Sequence, residues 1–189
     1  MNINKIKKFV VSNVKGTVKG VIDTVSLLKE EGRPEVKDIG QTEFNGNTIY
    51  LKKYDLLFSM SGQKNIPTAI CLFMYDQYII LVNSAWENAP LDVQEAILAH
   101  EIGHIECGHF KKIAEMSILD RLLLPIKRAY GDGFSIDMER EADEWGVKHL
   151  GTNKGYIQML DNFLEHIQFL GANDAEIYAR IWSIQGAIL

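Results

Sequence analysis

Cysteine is nearly missing from this chain, with two residues, Cys71 and Cys107, in 189. Two thiols cannot build a disulfide framework, and their scarcity points to a reducing compartment. Long apolar runs are missing as well. A bilayer span needs about 18–20 consecutive apolar residues, and the longest approach, "IPTAICLFMYDQYIILV", is interrupted by Asp76 and Gln77. It reads as two strands. The amino-terminal stretch "MNINKIKKFVVSNVKG" is basic, but its apolar part is too short for a signal peptide. A cytoplasmic protein is the expectation. Repeats and low-complexity tracts are absent. Basic residues are few outside the start of the chain: of 20 in all, five lysines fall in the first 20 residues, leaving 15 against all 25 acidic groups. Phosphate affinity rests on clustered Lys and Arg, so the acidic body is a poor nucleic-acid binder, and any such binding would have to come from the start of the chain.

What is present is the composition of a globular protein, 47% hydrophobic and 24% charged. Val10, Val14, Val18, Val21, Val25 and Leu28 recur at helical spacing, so residues 1–33 are expected as a basic amphipathic arm ending in the linker "EEGRPE". The expected roles of such an arm are docking on the body, covering the cleft as a pro-segment, binding a partner, or peripheral contact with an anionic membrane through residues 1–30, with docking or partner binding ahead of the membrane. Residues 34–189 form the second expected unit. "TEFNGNTIYL" carries an Asn-Gly turn, and "TAICLFMYDQYIILV" is expected to fold as two strands around a tight turn at Tyr75–Gln77. After "NSAWENAPLD" the period becomes helical. A helix is expected over about 91–110, capped by Asn88 or Asp92 and ended by Gly108. Further helices are expected over 111–130, bent at Pro125, over 136–150 after the loop "GDGFS", and over 153–170 and 173–187. A small antiparallel or mixed sheet followed by helices makes the fold class α+β.

The densest chemistry lies in "LAHEIGHIECGH", 98–109. His100-Glu101-Ile102-Gly103-His104 is an H-E-x-x-H pattern. At about 100° per residue, His100 and His104 sit only about 40° apart and one turn along a helix. Two imidazoles so placed can bind one zinc ion, with Glu101 to the side. Ala96, Ile97, Ala99, Ile102 and Gly103 make the surroundings apolar or small, so the helix is expected to be buried and its polar groups to need partners. His109 is five residues past His104, about 140° around a continuous helix, and would point away. The metzincin extension would require glycine at position 107 and histidine at 110, where Cys107 and Phe110 stand. A third ligand is better sought in "MEREADEWGVKHL", 138–150. Glu139 and Asp143 are one turn apart, and Ala142 is small enough for close helix packing. The first can ligate a metal while the second orients a ligand histidine. His149 and His166 are reserve ligands. Glu141 and Glu144 fall on other faces and read as surface residues, Cys107 as a buried inert thiol, and Trp86, Trp145 and Trp182 as core or cleft-edge residues.

Together, "AILAHEIGHIECGHF" and "EREADEWGVKHLG" resemble the gluzincin metallopeptidases with an H-E-x-x-H…E-x-x-A-D signature. The resemblance is to the prenyl-protein (CAAX) protease family and its small soluble relatives, the minigluzincins, over roughly residues 68–150. It implies a zincin-type helical core with a Zn2+ cofactor held by His100, His104 and Glu139. It also implies Glu101 as general base, Asp143 as the group orienting a ligand, and a peptide substrate. The chain departs from that family in having no membrane-spanning segments, so a prenylated substrate does not follow. Near the carboxyl terminus "NDAEIYARIW" keeps only Arg180 of a His-Pro…Arg element, with Asp174 where the family's histidine would fall. Arg180 is the expected oxyanion stabiliser, or else a surface arginine. A substrate strand is expected to pair near Tyr78–Asn83. Rival readings are a regulatory protease that cleaves repressors and a degenerate, non-catalytic scaffold.

Overall fold

The computed structural model of the chain describes residues 36–55, 65–74, 76–116, 133–169 and 174–186. The amino-terminal arm and its linker lie outside the described residues, as do most of the helix expected over 111–130 and Pro125 within it.

Four strands form one mixed sheet. Strands β1 (Lys37–Phe44) and β2 (Asn47–Lys53) are antiparallel. They meet at Asn45 and Gly46, whose φ angles are 47° and 79°. Both central residues of a tight hairpin turn of this hand need positive φ, which is why the Asn-Gly pair signals it. β1 starts at Lys37, earlier than the alternation suggested, and a register shift between Asp38 and Gly40 interrupts its pairing. Strands β3 (Ala69–Met74) and β4 (Gln77–Val82) form the second hairpin, with Asp76 at φ 59°. β4 then runs parallel to β2, giving the order β1-β2-β4-β3. Ile79, Ile80, Leu81 and Val82 are all buried, the near-continuous apolar run of a central strand. β4 is therefore paired on both sides. The expected substrate edge near Tyr78–Asn83 is corrected: among the described residues, the strand of this hairpin with an unpaired edge is β3.

The helices that follow are α1 (Ser84–Glu87), α2 (Leu91–Glu106), α3 (His109–Glu115), α4 (Gly133–Leu150), α5 (Lys154–Phe169) and α6 (Ala175–Gly186). The caps differ from expectation. Asn83, fully buried, accepts from the Trp86 N–H at 2.9 Å and so caps α1, while Asn88 ends that helix. α2 begins after Pro90 with no side-chain cap. Asp92 lies in its first turn and pairs with Lys154 at 2.8 Å, tying α2 to α5. The single helix expected over 91–110 is two helices. Cys107 closes α2, Gly108 adopts φ 68°, and the chain turns before α3. α4 starts at Gly133, so the end of the "GDGFS" segment is helical. No helix among the described residues is long and apolar enough to cross a membrane.

α2 packs against β3, α4 and α5, so it is buried on several sides. Its crossing with α4 is close: a Cβ on Gly103 would stand 2.6 Å from the Ala142 carbonyl oxygen. The Tyr156 hydroxyl occupies the space a Cβ on Gly146 would need. Small residues at the crossing let two backbones approach, and that approach sets the first helix's histidines against the second helix's carboxylates.

Candidate metal centre

His100 and His104, one turn apart on α2, turn their Nε2 atoms toward each other at 3.1 Å. Glu139 enters from α4. Its Oε2 lies 3.3 Å from the His100 Nε2 and its Oε1 lies 3.9 Å from the His104 Nε2. Ligands about 2.0–2.1 Å from a tetrahedral zinc ion stand roughly 3.3 Å from one another. The three separations bracket that value, so one ion fits between these atoms without rearrangement of the helices. The residues form a group able to hold a metal.

Asp143, fully buried one turn after Glu139, sits behind His100 with its Oδ1 2.8 Å from the Nδ1. A carboxylate only accepts, so the His100 Nδ1 carries the proton and donates. Once an ion takes the place of a second proton, His100 presents its lone pair at Nε2. Burial opposes charge on His100, yet Asp143 and Glu139 override it and push its pKa up to about 10. Burial and the neighbouring His100 push His104 down to about 3. The two carboxylates thus favour one positive charge beside them, at His100, while His104 stays neutral with a lone pair to offer.

Arg180, expected as an oxyanion stabiliser or a surface residue, is buried at 6% exposure on α6. Its Nε donates to the Asp143 Oδ2 at 2.7 Å, its Nη2 to Oδ1 at 3.0 Å, and its Nη1 lies 3.3 Å from the Glu139 Oε2. The surface placement is corrected. All three guanidinium nitrogens are directed at the two carboxylates, so Arg180 holds the acidic side of the centre in place. Burial raises the Asp143 pKa, but Arg180 and His100 outweigh it and hold the carboxyl below its ordinary range.

Glu101 is 9% exposed, with its Oε2 accepting from the Cys71 backbone N–H at 2.7 Å. The carboxylate is therefore held against the outer edge of β3. Burial, opposed by His100 and reinforced by Glu139, leaves its pKa above the usual carboxylate value. A buried carboxyl of raised pKa beside a potential metal centre is suited to accepting a proton.

A second group comprises Cys107, His109 and Glu141. The turn at Gly108 brings His109 back, so that its Nδ1 lies 2.7 Å from the His104 Nδ1, and His109 is 1% exposed. The expectation that it points away assumed a continuous helix and is corrected. Glu141, expected at the surface without a role, accepts from the His109 Nε2 at 3.0 Å and from the Lys112 Nζ at 2.7 Å. Its side chain is half-exposed. Gly108 ahead of His109 was the signal that could have revealed this return. Cys107 is only partly buried, its Sγ 3.7 Å from the Glu141 carbonyl oxygen, and burial with nearby Glu141 keeps it a thiol. Glu144 accepts from the Ser183 hydroxyl.

The reserve ligands stand elsewhere and belong to neither group. His149 stacks on Trp145 with ring centroids 4.9 Å apart, and His166 lines a cleft of about 310 Å³ with Asn65, Ile66, Pro67, Asn162 and Glu165. Trp86 is in the core, whereas Trp182 is 71% exposed on α6. Comparison of the chain with family models, with curated proteins and with solved structures yields no match.

Proposed function

We propose that the protein is a zinc-dependent endopeptidase. The observation that carries this reading is the convergence of two imidazole nitrogens and one carboxylate within 3.1–3.9 Å, with the buried Glu101 carboxylate on the same helix. Two histidines and a glutamate, with no thiolate, are the donor set of catalytic zinc sites that leave one position open. His100, His104 and Glu139 would hold the ion, which when bound supplies Lewis acidity, lowering the pKa of water toward about 7 and polarising a carbonyl.

The remaining work falls to the chain's own groups. Glu101 takes a proton from the attacking water on its carboxylate and passes it to the leaving amine as the carbon–nitrogen bond breaks. Its raised pKa makes that carboxylate a stronger base than an exposed one. Asp143 and Arg180 fix His100 and Glu139 in place. The side of β3 next to Glu101, which has no strand partner among the described residues, is suited to an extended peptide added as a further strand, a mode that places few demands on side-chain identity.

The test is incubation of the zinc-loaded full chain with a diverse peptide mixture. Internal cleavage that stops with a chelator and returns on adding zinc is expected. Intact peptides, or cleavage indifferent to the chelator, would refute the proposal.

A further inference from the structure

We propose that His109 and Glu141 form a positioning arm that fixes which nitrogen of His104 is free to bind metal. The inference rests on the metal-centre reading above and extends it to residues that the H-E-x-x-H pattern does not include.

The arm is one line of hydrogen bonds. Glu141 presents a carboxylate oxygen to the His109 Nε2 at 3.0 Å, and the same oxygen is held by the Lys112 ammonium at 2.7 Å. A carboxylate has no proton to give, so Nε2 of His109 donates. A neutral imidazole carries one proton, so the Nδ1 of His109 is an acceptor. That acceptor stands 2.7 Å from the His104 Nδ1. His104 must then carry its proton on Nδ1, leaving the lone pair of Nε2 facing the His100 Nε2 at 3.1 Å and Glu139 at 3.9 Å. A metal-bearing His100 has the same tautomer, set by Asp143 at its Nδ1. The two ligands are thus set by two different devices, one a buried carboxylate and the other a histidine steadied by a carboxylate and a lysine. The turn at Gly108 makes the second possible, because α3 begins with His109 itself.

The arm has a consequence for the Cys107, His109 and Glu141 group. An ion on the His109 Nε2 would displace the proton to the His109 Nδ1. That nitrogen would then donate to His104, whose own proton would move to Nε2 and close the first centre. With neutral imidazoles the two groups hold metal only in alternation. Lys112, seated on Glu141, biases the pair toward metal at His100, His104 and Glu139.

Long-range proton–nitrogen NMR on the metal-free full chain reads the tautomers directly, without any substitution. A proton on Nδ1 of His104 and on Nε2 of His109 is expected; a proton on Nε2 of His104 overturns the arm. Zinc affinity, measured by chelator competition, gives the second readout. His109→Leu is expected to weaken zinc by about 10–100-fold, the range for loss of a group that orients a ligand. His109→Asn, whose side-chain oxygen can take the place of Nδ1, recovers most of that loss. Equal affinity in wild type and His109→Leu overturns the arm, as does failure of the conservative variant to recover more than His109→Leu retains. If the wild type has the expected tautomers yet binds no zinc, the arm stands and the metal-centre reading fails. Cobalt substitution adds a control: thiolate absorption from Cys107 in the singly loaded protein would also overturn the assigned order of filling.

Discussion

Glu101→Gln is expected to retain a full complement of zinc and to lower peptide turnover by about 10²–10⁴-fold, the range for loss of a general base. The two halves of that result have separate origins. Glu101 is not among the three converging ligands, and glutamine has the same shape. Its side-chain oxygen can still accept from the Cys71 N–H, the contact that holds Glu101 at 2.7 Å from the strand edge. Packing around this 9% exposed side chain is therefore undisturbed. An amide, however, cannot take up a proton at neutral pH. Steady-state cleavage rates on matched zinc-loaded samples check the prediction. A loaded variant that cleaves as fast as wild type would remove Glu101 from the mechanism.

Loss of Asp143 is expected to have the largest effect on the fold. Asp143→Ala should destabilise the protein by about 3–5 kcal/mol, as removal of one partner from a buried ion pair does, and weaken zinc by about 10–100-fold. The carboxylate is fully buried and accepts from both sides, from the His100 Nδ1 and from two nitrogens of Arg180. Alanine would leave a buried guanidinium without the two bonds it makes to Asp143. Asp143→Asn should rescue little, because in either orientation its amide N–H₂ meets a donor. The pH dependence follows from the depressed pKa of this group. The stabilisation is complete above the unfolded-state value of about 4 and is lost as pH falls from there through the lower folded-state value. Urea unfolding of wild type and Asp143→Ala across the acid range measures this. The two curves should approach each other as the medium becomes more acidic, and a gap that stays constant with pH would count against the pairing.

Local pattern carried much of this architecture into the sequence. The Asn-Gly turn, the two hairpins and the helices of the carboxyl-terminal half follow from alternation, period and turn chemistry, which act over a few residues. The parallel pairing of β2 with β4 does not, since it depends on the path of the chain between the hairpins. The His100, His104, Glu139 and Asp143 constellation was legible because each pair lies one turn apart on a helix, and because Gly103 and Ala142 mark a place where two helices can touch. Arg180 was not. An arginine on an amphipathic helix reads as exposed unless its buried partner is known, and Asp143 lies 37 positions away. His109 escaped for a different reason: the 100° step per residue fails at Gly108, whose φ of 68° reverses the direction of the following side chain. A single residue in the left-handed region thus separates a histidine pointing away from one that touches a ligand.

The central claim is that one divalent ion sits between His100, His104 and Glu139, and X-ray absorption at the zinc edge of the singly loaded full chain tests it most directly. The prediction is one zinc per chain, with two imidazole nitrogens and carboxylate oxygen at about 2.0–2.2 Å and no sulfur. A zinc–sulfur distance near 2.3 Å would place the ion at Cys107, and a chain that takes up no zinc would contradict the claim outright.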